Sequence, residues 1–296
     1  MLLSYSNLQC QVMRYYIVIP AHNEEDFLND TLTSVLRQSL LPSQVVLVND
    51  NSSDSTEQII DQFIELSPIF QKLNTQSSNE HMPGSKVVNA FQKGLALLDD
   101  DYDFIVKLDA DVILPDNYFE KIAYIFKGQP NVGIAGGFVY EQDANGKWSL
   151  NHPMDKKHVR GAFKAYSRFC YKAIGGLRCA MGWDTVDELL AAFHGFEVYT
   201  DDYLKVKHLR PTGGAYNAKA KLLQGKAMYT MRYGLAISLI ASLKMALKQR
   251  KPQAVVDNLY GYLKAQKEKK PFLVTEKEGK FIRQLRWQNI KKKLIG

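Results

Sequence analysis

Two carboxylates separated by one residue, Asp109-Ala110-Asp111, follow directly on the apolar run Phe104-Ile105-Val106-Lys107-Leu108. Alternate carboxylates just beyond a strand present hard oxygen ligands suited to Mg²⁺ or Mn²⁺. The same spacing recurs in Asp99, Asp101 and Asp103, but those residues precede the run and read as a solvated loop. Open sheets bind ligands beyond the carboxyl ends of their strands, which favours Asp109 and Asp111. Asp50 ends a second apolar run, Gln44–Asn49, and is followed by the polar turn Asn51-Ser52-Ser53-Asp54. Such a loop suits hydrogen bonding to a nucleobase or ribose, while Ser53 and Asp54 read as ordinary turn and helix-cap residues.

These carboxylates need a sheet to hold them, and the flanking pattern supplies one. Tyr15–Pro20 is short, apolar and β-branched, as a buried strand should be. Asn23–Gln38 then places Phe27, Leu28, Leu32, Val35 and Leu36 at helical spacing, with Glu24, Glu25 and Asp26 in the first turn. The unit repeats with strand 44–49 and a helix through Phe63, and a weaker helix at Ser85–Leu98 precedes strand 104–108. Parallel α/β architecture is expected, with Asp50 and Asp109 at one edge. Beyond it, Pro115–Phe126 reads as a helix, and Val132–Tyr140 and Trp148–Leu150 flank the hairpin signal Asn145-Gly146. Ala162–Ala173 and Asp184–His194 read as two further helices, and from about Asn217 helix-compatible stretches are broken by Pro252, Pro271 and Gly279.

In order and spacing, IVIPAHNEE, VLVNDNSSDST, a helix start holding lysine and asparagine, and KLDADVILP resemble family 2 glycosyltransferases of the GT-A fold over roughly 200 residues. The resemblance implies a Rossmann-like nucleotide-binding sheet with a mixed acceptor-side subdomain. It also implies inverting transfer of one sugar from a nucleoside-diphosphate sugar, UDP favoured, with Mn²⁺ or Mg²⁺ on the leaving diphosphate. By the same resemblance Pro20, Ala21, His22 and Glu24 match the first nucleotide-contacting loop, and Asp50 the base-contacting carboxylate. Lys86 and Asn89 match the segment beside the donor, and Asp109, Ala110 and Asp111 the metal and ribose element.

Inversion needs a base for the acceptor hydroxyl. Asp184, in the segment Gly182–Leu189 where the family has a Glu-Asp pair, matches that base; a helix N-cap is its bland alternative. Trp183 replaces the first acid of the pair, leaving Asp187 and Glu188 as substitutes on the acceptor side. His208 resembles a histidine that completes the metal site with Asp111 in some relatives, and Arg210 suits phosphate. His81, His152, His158 and His194 have no comparable setting.

Charge divides the chain. Residues 1–218 carry 19 Lys/Arg against 27 Asp/Glu, whereas residues 219–296 carry 19 against 4. An expected division is a leader at 1–13, a glycosyltransferase domain at 14–216 and a basic helical region at 217–296. In the last, Lys226, Arg232, Lys244, Lys248, Arg250 and Lys251 surround Tyr233–Leu247, which suits either an anionic membrane surface and a lipid-linked acceptor or packing on the catalytic domain. No nucleic-acid reader motif accompanies it, and the signature of processive synthases is incomplete, which favours single addition. Three cysteines, Cys10, Cys170 and Cys179, fit neither a zinc site nor a disulfide scaffold, and no export signal is evident. A cytoplasmic protein, peripheral on the inner membrane face, is expected. A sugar nucleotidyltransferase would need a glycine-rich basic loop where AHNEED stands, and a non-catalytic nucleotide-sugar-binding scaffold is the reading that Trp183 leaves open.

Overall fold

Continuous apolar runs become central strands because helices can then cover both faces of the sheet. In the computed structural model, which describes residues 13–77, 84–143, 145–151, 158–210 and 222–295, β1 (Tyr15–Ala21), β2 (Gln44–Asp50), β3 (Phe70–Thr75) and β4 (Phe104–Leu108) lie parallel in the order β3-β2-β1-β4. Helices α1 (Leu28–Leu36), α2 (Thr56–Leu66) and α3 (Ser85–Leu95) connect them. Helix α1 begins later than the acidic turn expected at Asn23, because Asn23 adopts φ 54° and the Glu24 carbonyl instead closes a turn on the amides of Phe27 and Leu28. Strand β3 has no apolar alternation to announce it. It is an edge strand whose Lys72 is tied to Glu57 and Asp61 on α2, and it sets Thr75 in register with Asp50.

The second half adds β5 (Val112–Ile113), α4 (Tyr118–Gly128), β6 (Val132–Gln142), β7 (Trp148–Leu150), β8 (Phe163–Ser167), α5 (Arg168–Ala173), α6 (Trp183–Phe193) and β9 (Glu197–His208). The sheet of the described residues thereby becomes mixed, in the order β3-β2-β1-β4-β8-β6-β9-β5, with β7 paired to β6 across the expected hairpin. The helix expected over Ala162–Ala173 is corrected: Phe163–Ser167 is a strand, antiparallel to both β4 and β6, and only the six residues after it are helical. In so short an apolar segment the two periodicities coincide, and burial between two strands decides. Ser167 then starts α5, its hydroxyl accepting from the Cys170 amide at 3.4 Å.

The C-terminal region forms α7 (Leu223–Thr230), α8 (Leu235–Gln249), α9 (Gln253–Lys267) and α10 (Glu276–Ile295). Gly279 does not break a helix as expected; it lies inside α10, where a Cβ would fall 2.6 Å from the Arg232 side chain. Gly225 and Gly261 let α7 and α9 cross closely, since a Cβ on either would strike the other segment's backbone. Val274 and Ile282 join the main core, Phe193 meets Phe281 at 5.5 Å, and Arg178 donates to the Leu273 carbonyl at 3.2 Å. The expected boundary between 216 and 217, like most of the leader, lies outside the described residues.

Lys164 lies in the middle of β8 with no exposed surface. Its ammonium reaches Asp187 Oδ1 and Glu188 Oε1, both at 2.9 Å, and the Asp184 carbonyl at 2.5 Å, while Tyr166 donates to Asp187 at 2.5 Å. Burial would lower the lysine, but Asp187, Glu188 and Asp184 outweigh it and hold Lys164 charged beyond its ordinary range. Burial in turn pushes Asp187 up to about 6, with Lys164 opposing. Removing one partner leaves buried charge unpaired, so Lys164→Met should cost about 3–5 kcal/mol in urea unfolding, and adding Asp187→Leu should return part of that loss.

Candidate functional site

The loops beyond β1 and β2 are joined to each other. His22 Nδ1 lies 2.7 Å from the Asp50 carbonyl, the Asn23 side chain accepts from the Ser53 amide at 2.8 Å, and the Glu24 amide donates to Thr56 Oγ1 at 2.7 Å. Asp54 accepts from the amides of Glu25 and Thr56 in a local turn just before α2, whose N-cap is Ser55. The strand ends of Pro20, Ala21 and Asp50 are thereby held as one rim.

The buried Asp50 carboxylate accepts from Thr75 Oγ1 at 3.1 Å and from the Ser77 amide at 2.8 Å. It faces a cavity of about 190 Å³ that is also lined by Lys86, Asn89 and Lys93 of α3. The structure therefore brings together three residues expected from two motifs. It adds Thr75, Ser77 and Lys93; of these only Lys93 was legible, lying one turn beyond Asn89 on the same helical face.

The Asp109-Ala110-Asp111 element is clamped from α1. Thr31 Oγ1 donates to the Ala110 carbonyl at 2.8 Å and accepts from the Val112 amide at 3.1 Å, and Ser34 Oγ accepts from the Leu114 amide at 3.3 Å. Neither hydroxyl carried a sequence signal, because a threonine and a serine on a helix are unremarkable until the strand end beside them is known. Asp109 is ion-paired to the buried Lys107. Asp111 is buried, and β5 pairs with β9 so that His208 stands in register with Val112. Its Nε2 lies 3.5 Å from Asp111 Oδ1. The buried Nδ1 has no hydrogen-bond partner and lies 3.5 Å from Glu141 Oε1.

Negative charge accumulates here. Burial pushes Asp111 above the usual carboxylate range, Asp109 adds to the rise, and His208, Arg210 and Lys107 oppose it. Burial also pushes Glu24 up to about 7, against the forked Arg210 guanidinium at 2.7 and 3.2 Å and with Asp111 and Asp109 adding. Arg210 also stacks over Phe27. Among the described residues no three His, Cys, Asp or Glu side chains could hold a metal ion by themselves. One carboxylate and one imidazole, Asp111 and His208, nevertheless suit a cation that takes its remaining ligands from phosphate oxygens and water. Glu141 is placed to orient the imidazole from behind, as carboxylates commonly do for metal-bound histidine.

On the acceptor side, Asp184 lies in the first turn of α6, after Gly182 at φ 81°. Its carbonyl is fixed by Lys164, and its half-buried carboxylate accepts no hydrogen bond among the described residues. The other residues expected on the acceptor side lie deeper. Asp187 and Glu188 turn inward to Lys164, and Glu188 also binds His158 at 2.9 Å, giving that unassigned histidine a structural setting. Trp183 is buried too. Its ring lies 5.1 Å from the Lys107 ammonium and 5.9 Å from that of Lys164, and Gly161 and Gly84 make room for it. The inward face of α6 carries Trp183, Val186, Asp187 and Leu190, a spacing that only the location of the core resolves.

A mixed α/β sheet with a polar, partly charged pocket at the carboxyl ends of its parallel strands is the class that fold and geometry define. The family model "Glycosyl transferase family 2" matches residues 16–183. The chain belongs to that family. Poly-beta-1,6-N-acetyl-D-glucosamine synthase of Staphylococcus epidermidis is 27% identical over 127 residues, 43% of this chain and 29% of that protein. The chain thus aligns with under a third of this curated relative. The mannosyltransferase PcManGT from Pyrobaculum calidifontis, solved with GDP-Man and Mn²⁺, superposes with TM-score 0.56 at 15% identity, covering 94% of this chain and 81% of that one. TarS of S. aureus, solved with UDP-GlcNAc, gives TM-score 0.55 at 15% identity, covering 85% and 73%. These likenesses establish the GT-A fold.

The raised Glu24 carboxyl makes a signed prediction. A carboxyl that holds its proton more tightly folded than unfolded favours the folded state at low pH, and the advantage disappears as pH rises from about 4.5 to about 7. The thermal midpoint of the unliganded protein should carry this contribution across that window, and Glu24→Gln should flatten it.

Proposed function

We propose that this chain transfers one sugar from a nucleoside-diphosphate sugar, UDP favoured, to an acceptor hydroxyl with inversion, in the assembly of a cell-surface glycan or glycolipid. The observation that carries the reading is the placement, in a family 2 chain, of the Asp50–Lys86–Asn89 pocket and the Asp109-Ala110-Asp111 element at the same edge of one parallel sheet, beyond the strands that flank β1. The name of the S. epidermidis relative and the nucleotide sugars bound by PcManGT and TarS support it.

In this reading Asp50, Lys86 and Asn89 take the base and ribose, and Pro20, Ala21 and His22 line the diphosphate side. Glu24 holds Arg210 toward the phosphates. Asp111 and His208 would hold Mn²⁺ or Mg²⁺, which when bound neutralises charge on the leaving diphosphate. Asp184 takes the proton of the acceptor hydroxyl, its carboxylate accepting no hydrogen bond among the described residues and its backbone fixed by Lys164. Trp183 supports Asp184 from within the core, which disfavours reading it as a mark of lost activity. A glycine-poor, acidic first loop continues to disfavour nucleotidyl transfer. No helix among the described residues is long and apolar enough to cross a membrane; the basic helical region is read as resting on an anionic membrane surface.

Thermal-shift and turnover measurements separate the two halves of the site. UDP with Mn²⁺ should stabilise the wild type and Asp184→Asn alike but not Asp111→Ala, because linkage reports donor binding alone. Release of UDP from a UDP-sugar in the presence of acceptor should fall about 10²–10⁴-fold in Asp184→Asn. Full turnover in both variants would sink the assignment.

A further inference from the structure

Helix α8 is apolar on both sides, yet the protein covers only one. Ile237, Ser238, Ser242 and Ala246 are buried. The two serine hydroxyls turn back onto the carbonyls of Gly234 and Ser238, so they add no polar surface. The other side carries Leu235, Leu239, Leu243 and Leu247, spaced one turn apart and between 39% and 80% exposed. Its neighbour α9 repeats the feature with Val256, Tyr260 and Leu263, 50% to 60% exposed. A helix of a water-soluble surface normally turns its polar face outward, so two adjoining helices with outward apolar stripes mark a binding surface.

Charge identifies what covers it. Residues 235–270 contain eight Lys/Arg against only Asp257 and Glu268. Lys248, Arg250 and Lys251 gather where α8 passes into α9, and Lys264 and Lys267 lie along α9. A second copy packed face to face would bring this basic rim against itself. Apolar side chains flanked by lysine and arginine match an interface of acyl chains below anionic headgroups.

We propose that the α8–α9 hairpin is a membrane-docking surface for an anionic bilayer, with the leucine stripe of α8 and Val256, Tyr260 and Leu263 of α9 entering the headgroup–acyl boundary. This specifies the surface contact proposed above and rests on that reading only for the nature of the acceptor. The hairpin is coupled to the site: α9 crosses α7 closely, and Ala227 and Met231 pack beside Gly182, immediately before Trp183 and Asp184. The docked hairpin is thus packed through α7 on the segment that carries Asp184, which fits a lipid-linked acceptor hydroxyl.

Flotation of the intact chain with phosphatidylcholine–phosphatidylglycerol vesicles tests this against pure phosphatidylcholine vesicles. Binding to the anionic vesicles should be about tenfold or more tighter and should weaken with salt. Leu243→Glu with Leu247→Glu should reduce it about tenfold at an unchanged thermal midpoint. Asp111→Ala should float like the wild type, so failure of the catalytic reading and failure of docking are distinguishable. Equal flotation of the wild type and the double variant would overturn the proposal. So would indifference to lipid charge, or sedimentation showing a dimer that the double variant dissolves.

Discussion

Two lysines meet across neighbouring strands in the centre of the sheet: Lys107 on β4 is the register partner of Lys164 on β8, and neither has appreciable exposure. Like charges so placed oppose folding unless each is matched locally. Lys107 is matched by Asp109, and Lys164 by Asp187 and Glu188, with the Trp183 ring within cation–π reach of both ammonium groups. Asp109 lies at the strand end proposed to receive the donor, and α6 carries the residue proposed to face the acceptor. Charge compensation inside the sheet thus fixes the two relative to each other.

The strand-end rim has the opposite imbalance. Glu24, Asp109 and Asp111 converge with burial as the dominant force on Glu24 and Asp111, and Arg210 and Lys107 compensate only in part. A bound cation would relieve this cluster, whereas an anionic diphosphate alone would aggravate it. Cation and donor binding are therefore expected to support one another at this rim. The hydroxyls of Thr31 and Ser34 keep the rim in place from the helix beneath, without adding charge.

The C-terminal helices stand apart in charge but not in packing. Their inner faces extend the main core through Met228, Tyr233, Val274 and Ile282, while their outer faces remain apolar and basic. The two alternatives open from sequence, packing on the catalytic domain or facing a membrane, are compatible because they use different sides of the same helices.

The sequence by itself determined β1, β2 and β4 of the parallel half and the helices between them, because continuous apolar runs and helical spacing mark these elements, and it placed Asp50 and Asp109 at strand ends. It also determined the family, through four motifs in order. It misread residues 162–167 as helix, since a five-residue buried strand flanked by a helix leaves no distinguishing period. It also missed β3, whose polar edge residues are fixed only by pairing with β2. Asp187, Glu188 and Trp183 were legible as an acidic and aromatic cluster, but which way α6 turns them depends on Lys164, 19 to 24 residues away and silent until buried. Local residue types set what chemistry is available; tertiary structure decided which charges the core pairs, as it does Asp187 and Glu188 with Lys164, because desolvation acts only once strands from distant segments enclose them.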